Sequence, residues 1–423
     1  MQAVLSIFKK MMASAVIFSI LPALAADIPL ASGADLQAAI DNSQDGDRLL
    51  LAAGDYQGNI EITRPIQIIG AENGVSRIIG NDKGHVIWVK AEQVELAHLH
   101  IHNSGKTLRT MDSGIFLDKI AHHAHIHHNY LENNLFGIYV WGPNQAIVEH
   151  NRVNNSNEPR MASRGDGVSL WRSPHSIIRH NRFSGGRDGI ATNASKHNLF
   201  ENNYFRDLRF AVHYMYTEDS EVRDNHAEQV ESAYVLMFSN RIRVINNRIK
   251  QAKEHGVMLN SVNYAQIIGN EVDDVNKATF IYNANFNEIF YNRFENSLLG
   301  IHFTAGSEKN HIANNAFINN RSQAMYVGTR EVLWQHEGQG NYWSDHSAFD
   351  LNGDGIADTP YKPNNLMDQV LWRAPSAKLL INSPSAQLLK YAQQQFPSLL
   401  PGGVSDPYPL MTIPQAPPNH AQH

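Results

Sequence analysis

An asparagine that recurs about every 22 residues constrains the fold of this chain more than any other feature. Ten short motifs, from HHNYL to QGNYW, place it at spacings of 22, 30, 22, 22, 22, 23, 22, 23 and 26 residues. The positions are Asn129, Asn151, Asn181, Asn203, Asn225, Asn247, Asn270, Asn292, Asn315 and Asn341. A unit this short cannot enclose a core alone, so each unit must stack on its neighbours.

A second register indicates that the stacked units are β-strands. Segments such as GIYVW, AVHYM and GVMLN begin with a small residue and then alternate with a period of two, which is the strand period. We predict an all-β chain whose residues 26–345 form a right-handed parallel β-helix. About a dozen coils at ~4.8 Å each would make a rod roughly 55 Å long. The 30-residue spacing predicts that residues 154–166 form a loop leaving the rod.

The two ends of the chain do not follow the repeat. Residues 1–25 have Lys9 and Lys10, an apolar run and an Ala-Leu-Ala pattern, as in a cleavable secretory signal, so we expect export. Residues 33–42 predict an amphipathic helix that covers the first coil through Leu36, Ala39 and Ile40. Residues 346–423 predict a non-repeating tail with a helix at 386–395 and a proline-rich end.

Composition limits the chemistry and the partners. The chain has no cysteine, so any metal must bind through histidine, methionine or carboxylates. Without Lys9 and Lys10, 33 basic residues face 41 acidic ones, a net charge of -8. This balance argues against a nucleic-acid partner.

Histidines are concentrated in the segment AHHAHIHHNYL and in the coil before it. Strand alternation places His123, His125 and His127 outward, and aligning the two coils sets His98 beside His128. Either these are exposed polar positions on a solenoid face, or they form a weak copper or zinc surface; both interpretations stay open. The residues concerned are His98, His100, His102, His123, His125, His127 and His128.

A stripe of soft side chains is predicted on the strands that begin with a small residue. Numbering that residue 1, positions 2 and 4 face the core, whereas positions 3 and 5 face outward. The outward positions include His213, Met215, Met237, Met258 and His302, whose thioether and imidazole groups suit Cu(I). Alternatively, loops or the tail cover this face.

An enzymatic alternative uses the same face. Many β-helices are lyases or epimerases of uronate polysaccharides, and these need paired titratable groups for proton transfer. The outward stripe offers only Asp118 among acids. The sequence therefore favours metal handling or docking over sugar chemistry.

The segment DLNGDGIAD resembles the start of a calcium loop. Its ligand positions would be Asp350, Asn352, Asp354, the backbone of Ile356, and Asp358. Tyr361 stands where an EF-hand has its bidentate glutamate, so the site would not be a standard EF-hand. The competing interpretation is a turn held by its own backbone hydrogen bonds.

The coils, GNYWSDHSAFDLNGDGIADTPY, LWRAPSAKLL and FPSLLPGGVSDPYPLM together resemble the NosD family of periplasmic maturation proteins of nitrous oxide reductase. The resemblance covers nearly the whole mature chain. It implies a non-enzymatic protein that works with an ABC-type ATPase and permease and a copper chaperone lipoprotein to deliver copper to the apo reductase. Membrane contact would be made only through the permease. No residue-level copper motif of the family can be carried over, so the copper ligands above rest on the pattern alone.

Overall fold

The computed structural model describes residues 25–304, 306–328, 330–363, 376, 380, 383–395 and 403–416. Residues 1–24 of the predicted signal lie outside the described residues. Residues 27–343 wind through three parallel sheets of 13, 13 and 12 strands, which we call sheets 1, 2 and 3. The predicted parallel β-helix of about 22-residue coils is confirmed. No helix within the described ranges is both long and apolar enough to cross a bilayer.

Each coil contributes one strand to each sheet in turn. The strands of sheet 1 are Asp27–Leu30, Arg48–Leu51, Gln67–Ile69, Glu95–Ala97, His125–His127, Ile147–Glu149, Ile177–Arg179, Leu199–Glu201, Glu221–Arg223, Arg243–Ile245, Gln266–Ile268, Glu288–Phe290 and His311–Ala313. The strands of sheet 2 are Gly54–Gln57, Ser76–Ile79, Leu99–His102, Tyr130–Glu132, Arg152–Asn155, Arg182–Gly185, Tyr204–Arg206, His226–Glu228, Arg248–Lys250, Glu271–Asp273, Arg293–Glu295, Ala316–Ile318 and Tyr342–Trp343. The strands of sheet 3 are Ile60–Ile62, Ile87–Val89, Ser113–Leu117, Phe136–Trp141, Val168–Trp171, Asp188–Asn193, Phe210–Met215, Ser232–Met237, His255–Asn260, Lys277–Tyr282, Leu299–Thr304 and Ser322–Val327.

The core is a continuous column of apolar side chains between the three sheets. In sheet 3, Val212 and Tyr214 at positions 2 and 4 are fully buried, as the alternation predicts. The small residue at position 1, here Ala211, is also fully buried, and the strand register skips it. The alternation therefore breaks at position 1, and the residue before it faces outward.

The recurring asparagines form a hydrogen-bonded ladder inside the rod. Asn247 is typical: its Nδ2 donates to the carbonyl oxygen of Val222 at 2.9 Å and to Oδ1 of Asn270 at 3.0 Å. Its Oδ1 accepts from the backbone N–H and from Nδ2 of Asn225, both at 3.0 Å. From Asn129 to Asn341, the ladder satisfies polar groups at a buried corner of each coil, which would otherwise destabilise the fold.

Asp406 of the tail closes the ladder at its far end. One of its carboxylate oxygens accepts hydrogen bonds from the backbone N–H of Asn341 at 2.7 Å and from Nε1 of Trp343 at 2.8 Å. Strand Gly403–Ser405, just before it, pairs with Glu331–Leu333 in a separate two-stranded sheet. The tail thus supplies the partner that a next coil would have provided.

The described residues contain two α-helices, both outside the repeat. The N-terminal one spans Leu36–Asn42 and buries Leu36 and Ile40, as predicted, with Ala39 packed against the core. It begins later than predicted, because Gly33 is left-handed (φ +77°) and the side chain of Asp35 caps the helix. The second helix, Pro384–Gln395, confirms the predicted tail helix and begins two residues earlier, since proline suits the first turn.

Two short 3-10 turns lie in the loops that leave the rod. The predicted excursion at 154–166 is confirmed between strands Arg152–Asn155 and Val168–Trp171, with a turn at Met161–Ser163. A second loop precedes strand Ser113–Leu117 and contains the turn Leu108–Thr110.

Candidate metal-binding surfaces

The predicted soft side chains all lie on the outward face of sheet 3, which we call the stripe. The register aligns one row as His213, Val235, Met258, Phe280, His302 and Met325, and sets Met215 directly beside Met237 in the next row. The histidines and methionines among them are partly exposed, whereas Val235 between them is buried. The strands therefore order these residues as the repeat predicts.

The five predicted copper ligands do not form one site. His213 and His302 are four strands apart, which corresponds to about 19 Å along the rod. No single ion can span that distance. The stripe instead holds an upper cluster of His213, Met215 and Met237, and a lower cluster around His302, with Met258 between them.

His213 of the upper cluster is held by a buried carboxylate. Its Nδ1 lies 3.4 Å from a carboxylate oxygen of Asp188, which is fully buried. Its Nε2 is shielded from solvent and has no hydrogen-bond partner. A carboxylate behind one ring nitrogen fixes the tautomer and leaves the other nitrogen free as a ligand, an arrangement that supports metal-binding histidines.

The lower cluster contains two residues that the sequence pattern missed. Met325 is the register partner of His302, and His255 precedes the small residue Gly256 of its strand. Burial, together with Lys277 nearby, lowers the pKa of both His255 and His302 to about 4. Both imidazoles are therefore neutral at pH 7, the form in which histidine binds metals.

The predicted alternative of a covered face is correct for the first third of the stripe. Phe116 and Tyr139 at position 3 are buried in a small cluster with Leu135 and Phe136, against Met111 of the loop before strand Ser113–Leu117. Further along, Met215, Met237 and Met258 keep partial exposure. The soft side chains thus lie on the more open part of the sheet.

The expectation of a single acid on this face is wrong. Asp166 and Asp188, which precede Gly167 and Gly189, also face outward, because the alternation breaks at the small residue. Asp166 binds Arg187 at 3.0 Å, and Asp188 binds Arg209 at 2.5 Å, with both carboxylates buried. Burial and the neighbouring Asp188 raise the pKa of Asp166. Burial opposes ionisation of Asp188, but hydrogen bonds from His213 and Arg209 bring its pKa below the usual range. These carboxylates lie beneath their partners and are not open to a polymer.

The predicted histidine surface lies elsewhere, on sheets 1 and 2 and the corner between them. His98 stacks on His128 with ring centroids 5.1 Å apart, as the coil alignment predicts. On sheet 1, His125 and His127 lie side by side, and His127 Nε2 is 2.9 Å from a carboxylate oxygen of Glu95. On sheet 2, His100 and His102 have ring centroids 4.9 Å apart. His123 is exposed and lies apart from these, at the corner that leads from sheet 3 into sheet 1.

Within the described part of the chain, three histidine or carboxylate donors approach within 4.8 Å of one another in two groups only, and both contain His127. The first group is His98, His127 and His128; the second is Glu95, His125 and His127. The histidine surface therefore contains a compact centre rather than an even scatter of imidazoles.

The loop at 350–358 uses its acidic oxygens on its own backbone. The Asp350 carboxylate accepts from the backbone N–H of Gly353 at 2.6 Å and of Gly355 at 2.8 Å, which lowers the pKa of that carboxyl. Asp354 accepts from the N–H of Ile356 at 2.9 Å, and Asp358 from that of Leu351 at 2.8 Å. These bonds match the turn interpretation, and calcium binding by Asp350, Asn352, Asp354, Ile356 and Asp358 stays a prediction.

We expect calcium to stabilise the protein through this loop if the oxygens also bind the ion. Adding calcium to chelator-treated protein should raise the melting temperature by roughly 2 to 4 °C. Asp354→Ala should abolish that rise, whereas Asp45→Ala, at another exposed aspartate, should not. Scanning calorimetry with and without calcium measures the shift, and an unchanged parent protein would contradict the prediction.

Comparisons with known proteins identify the family of the chain. Residues 150–348 match the family described as "Periplasmic copper-binding protein (NosD)". The chain is 38% identical over 382 residues to the "Probable ABC transporter binding protein NosD" of Stutzerimonas stutzeri, covering 87% of each protein. It is 39% identical over 392 residues to the protein of the same name from Pseudomonas aeruginosa, covering 88% of this chain and 90% of that one.

Solved structures resemble the chain in fold alone. The family 28 exopolygalacturonase of Yersinia enterocolitica matches with a TM-score of 0.57 at 10% identity, covering 72% of this chain and 77% of that one. The A-module of the Azotobacter vinelandii mannuronan C-5 epimerase AlgE6 matches with a TM-score of 0.54 at 16% identity, covering 70% and 93%. Fold and family likeness together define a parallel β-helix of a class described as periplasmic copper-binding proteins. The chain belongs to the NosD family.

Proposed function

We propose that this chain is a non-enzymatic periplasmic scaffold that assists copper delivery to nitrous oxide reductase. The single observation that carries the proposal is the upper cluster of the stripe. There, His213 has an unpartnered ring nitrogen, Met215 follows two residues later on the same strand, and Met237 is the register partner of Met215 on the neighbouring strand. Support for periplasmic copper handling also comes from the description of the family.

The donor set of the upper cluster suits Cu(I). Thioether and neutral imidazole are soft to borderline ligands, and Cu(I) accepts two or three of them. Met215 and Met237 lie on adjacent strands, about 5 Å apart along the sheet, so both sulfurs are within reach of one ion. Their partial exposure keeps the ion accessible to a partner protein. A site of this kind binds copper and can also release it.

The proposed partners follow from the family. The curated relatives are named as ABC transporter binding proteins, which supports association of this chain with an ABC-type permease and its ATPase. We propose that a copper chaperone lipoprotein supplies the ion and that the apo reductase receives it. This chain would contact the membrane only through the permease.

The polysaccharide alternative has weaker support. It rests on a fold likeness at 10 to 16% identity to sugar-active β-helices. Asp118 receives a hydrogen bond from Nε1 of Trp88 at 3.2 Å, while Asp166 and Asp188 are buried beneath arginines. An acid and a base open to one sugar are needed for lyase or epimerase chemistry, and the described face does not present such a pair. A uronate lyase or epimerase is therefore the less favoured function.

Anaerobic Cu(I) titration of the mature protein tests the proposal. We expect His213→Gln to weaken Cu(I) binding at least about tenfold, because it removes the ligand that Asp188 orients. His302→Gln should leave this upper site intact, since His302 is four strands away. Met161→Leu, in the excursion loop, is the control for an unrelated methionine. Equal Cu(I) affinity in the parent and in His213→Gln would reject the upper cluster as the copper site.

A further inference from the structure

We infer that His98, His127 and His128 form a second metal site, for a divalent cation such as Zn²⁺ or Cu²⁺. The site lies at the corner between sheets 1 and 2, away from the stripe on sheet 3. One ring nitrogen from each histidine lies within 4.8 Å of the other two. The Nδ1 atoms of His127 and His128 are 2.9 Å apart, and the rings of His98 and His128 stack at 5.1 Å.

The orientation of His127 is set by Glu95. An ionised carboxylate can only accept hydrogen bonds, so the 2.9 Å contact with Glu95 puts the proton of the neutral ring on Nε2 of His127. The lone pair then lies on Nδ1, which faces His128. A carboxylate behind a histidine is the usual support of a metal-binding imidazole, because it fixes the tautomer and makes the ring more basic.

The backbone brings the other two histidines to the same place. His98 and His128 occupy equivalent corners of successive coils, with left-handed φ values of 58° and 54°. The corner stack continues through His150 and His180 at 4.8 Å. There, however, the strand positions equivalent to His127 are Glu149 and Arg179. A third imidazole therefore joins the corner stack at His127.

The chemistry of the three donors differs from that of the stripe. Three imidazoles without a thioether suit borderline divalent cations, and they leave a fourth coordination position for water or a partner's side chain. His98 and His128 are exposed, so that position faces solvent, whereas the side chain of His127 is only 14% exposed. The competing set of Glu95, His125 and His127 would require Glu95 to leave its supporting role and become a ligand.

Titration of the purified mature chain with Zn²⁺ by calorimetry, and with Cu²⁺ by electron paramagnetic resonance, tests the inference. We expect His127→Gln and His98→Gln each to weaken binding at least about tenfold. Glu95→Gln should weaken binding to a smaller extent, because glutamine can still accept the Nε2 hydrogen bond. His180→Gln, in the same corner stack, and His125→Gln should bind as the parent does. The number of nitrogen ligands coupled to Cu²⁺ should fall in the His98 and His127 variants.

Two results would overturn the assignment. If His98→Gln binds Zn²⁺ like the parent while His125→Gln loses it, the ligands are Glu95, His125 and His127 instead. If every variant binds like the parent, no site exists at this corner. Because these ligands are distinct from His213, Met215 and Met237, loss of Cu(I) binding at the stripe leaves this result unaffected.

Discussion

Asn247→Leu is expected to lower the free energy of unfolding by about 3 to 5 kcal/mol. The substitution removes all four side-chain hydrogen bonds of a residue that is only 1% exposed. It removes the side-chain donor of the Val222 carbonyl oxygen and the Oδ1 acceptor of the Asn225 backbone N–H, while Nδ2 of Asn225 keeps only its bonds to the carbonyl oxygens of Phe200 and Arg223. Buried polar groups that lose their partner carry the full cost of their lost hydration, which makes the effect larger than for a single bond.

Urea unfolding followed by circular dichroism measures this loss. The control is Asn144→Leu, at an exposed asparagine outside the ladder, which should change the free energy of unfolding by no more than about 0.5 kcal/mol. If Asn247→Leu is no more destabilising than the control, the ladder does not stabilise the rod in the way that its hydrogen bonds indicate.

The β-helix could be predicted because its repeat and its register are the same property of the sequence. When asparagine recurs at 22 residues, equivalent side chains must lie on adjacent strands, so the pairing of Met215 with Met237 follows directly from numbering. The stacking of His98 on His128 could be predicted for the same reason. Which residues of successive coils lie beside each other therefore follows from the sequence spacing.

Within one coil, it was harder to predict which side chains face outward, because the strands of sheet 3 do not alternate strictly. At the small residue of each sheet 3 strand, two successive residues face the core, as Ala211 and Val212 do. This break turns Asp188 and His255 outward, although a period of two places them inward. For this reason the contact between His213 and Asp188 was missed. An aspartate or histidine directly before the small residue was the available signal.

The end of the rod could not be predicted from the repeat. Met325 was missed because its strand has Gln323 where the nine preceding strands of sheet 3 have a small residue at position 1. The role of Asp406 was also missed. It accepts the hydrogen bond of Asn341 that an asparagine of a further coil would accept, but it is 65 residues away along the chain. Contacts of this kind depend on where the tail runs, which no local pattern specifies.

Replacing Met215, Met237 and Met258 together by leucine is expected to reduce the copper content of nitrous oxide reductase in cells at least about tenfold. Leucine has nearly the volume of methionine and is as apolar, so the sheet should keep its packing. What is lost is the thioether, the soft donor that the stripe offers to Cu(I). The measurement is copper and activity of the reductase purified from cells that carry the variant.

The control separates a loss of the thioethers from a folding defect. Met161→Leu carries the same chemical change on the excursion loop and should mature the reductase at the parental rate. The triple variant should also keep the parental melting temperature within about 2 °C, because volume-conserving substitutions at partly exposed positions cost little. A stable triple variant that still loads the reductase with copper at the parental rate would mean that the methionines merely line a packed face. A loss of loading with unchanged stability would show that the reductase needs the thioethers of the stripe, for copper transfer or for docking the partner that transfers it.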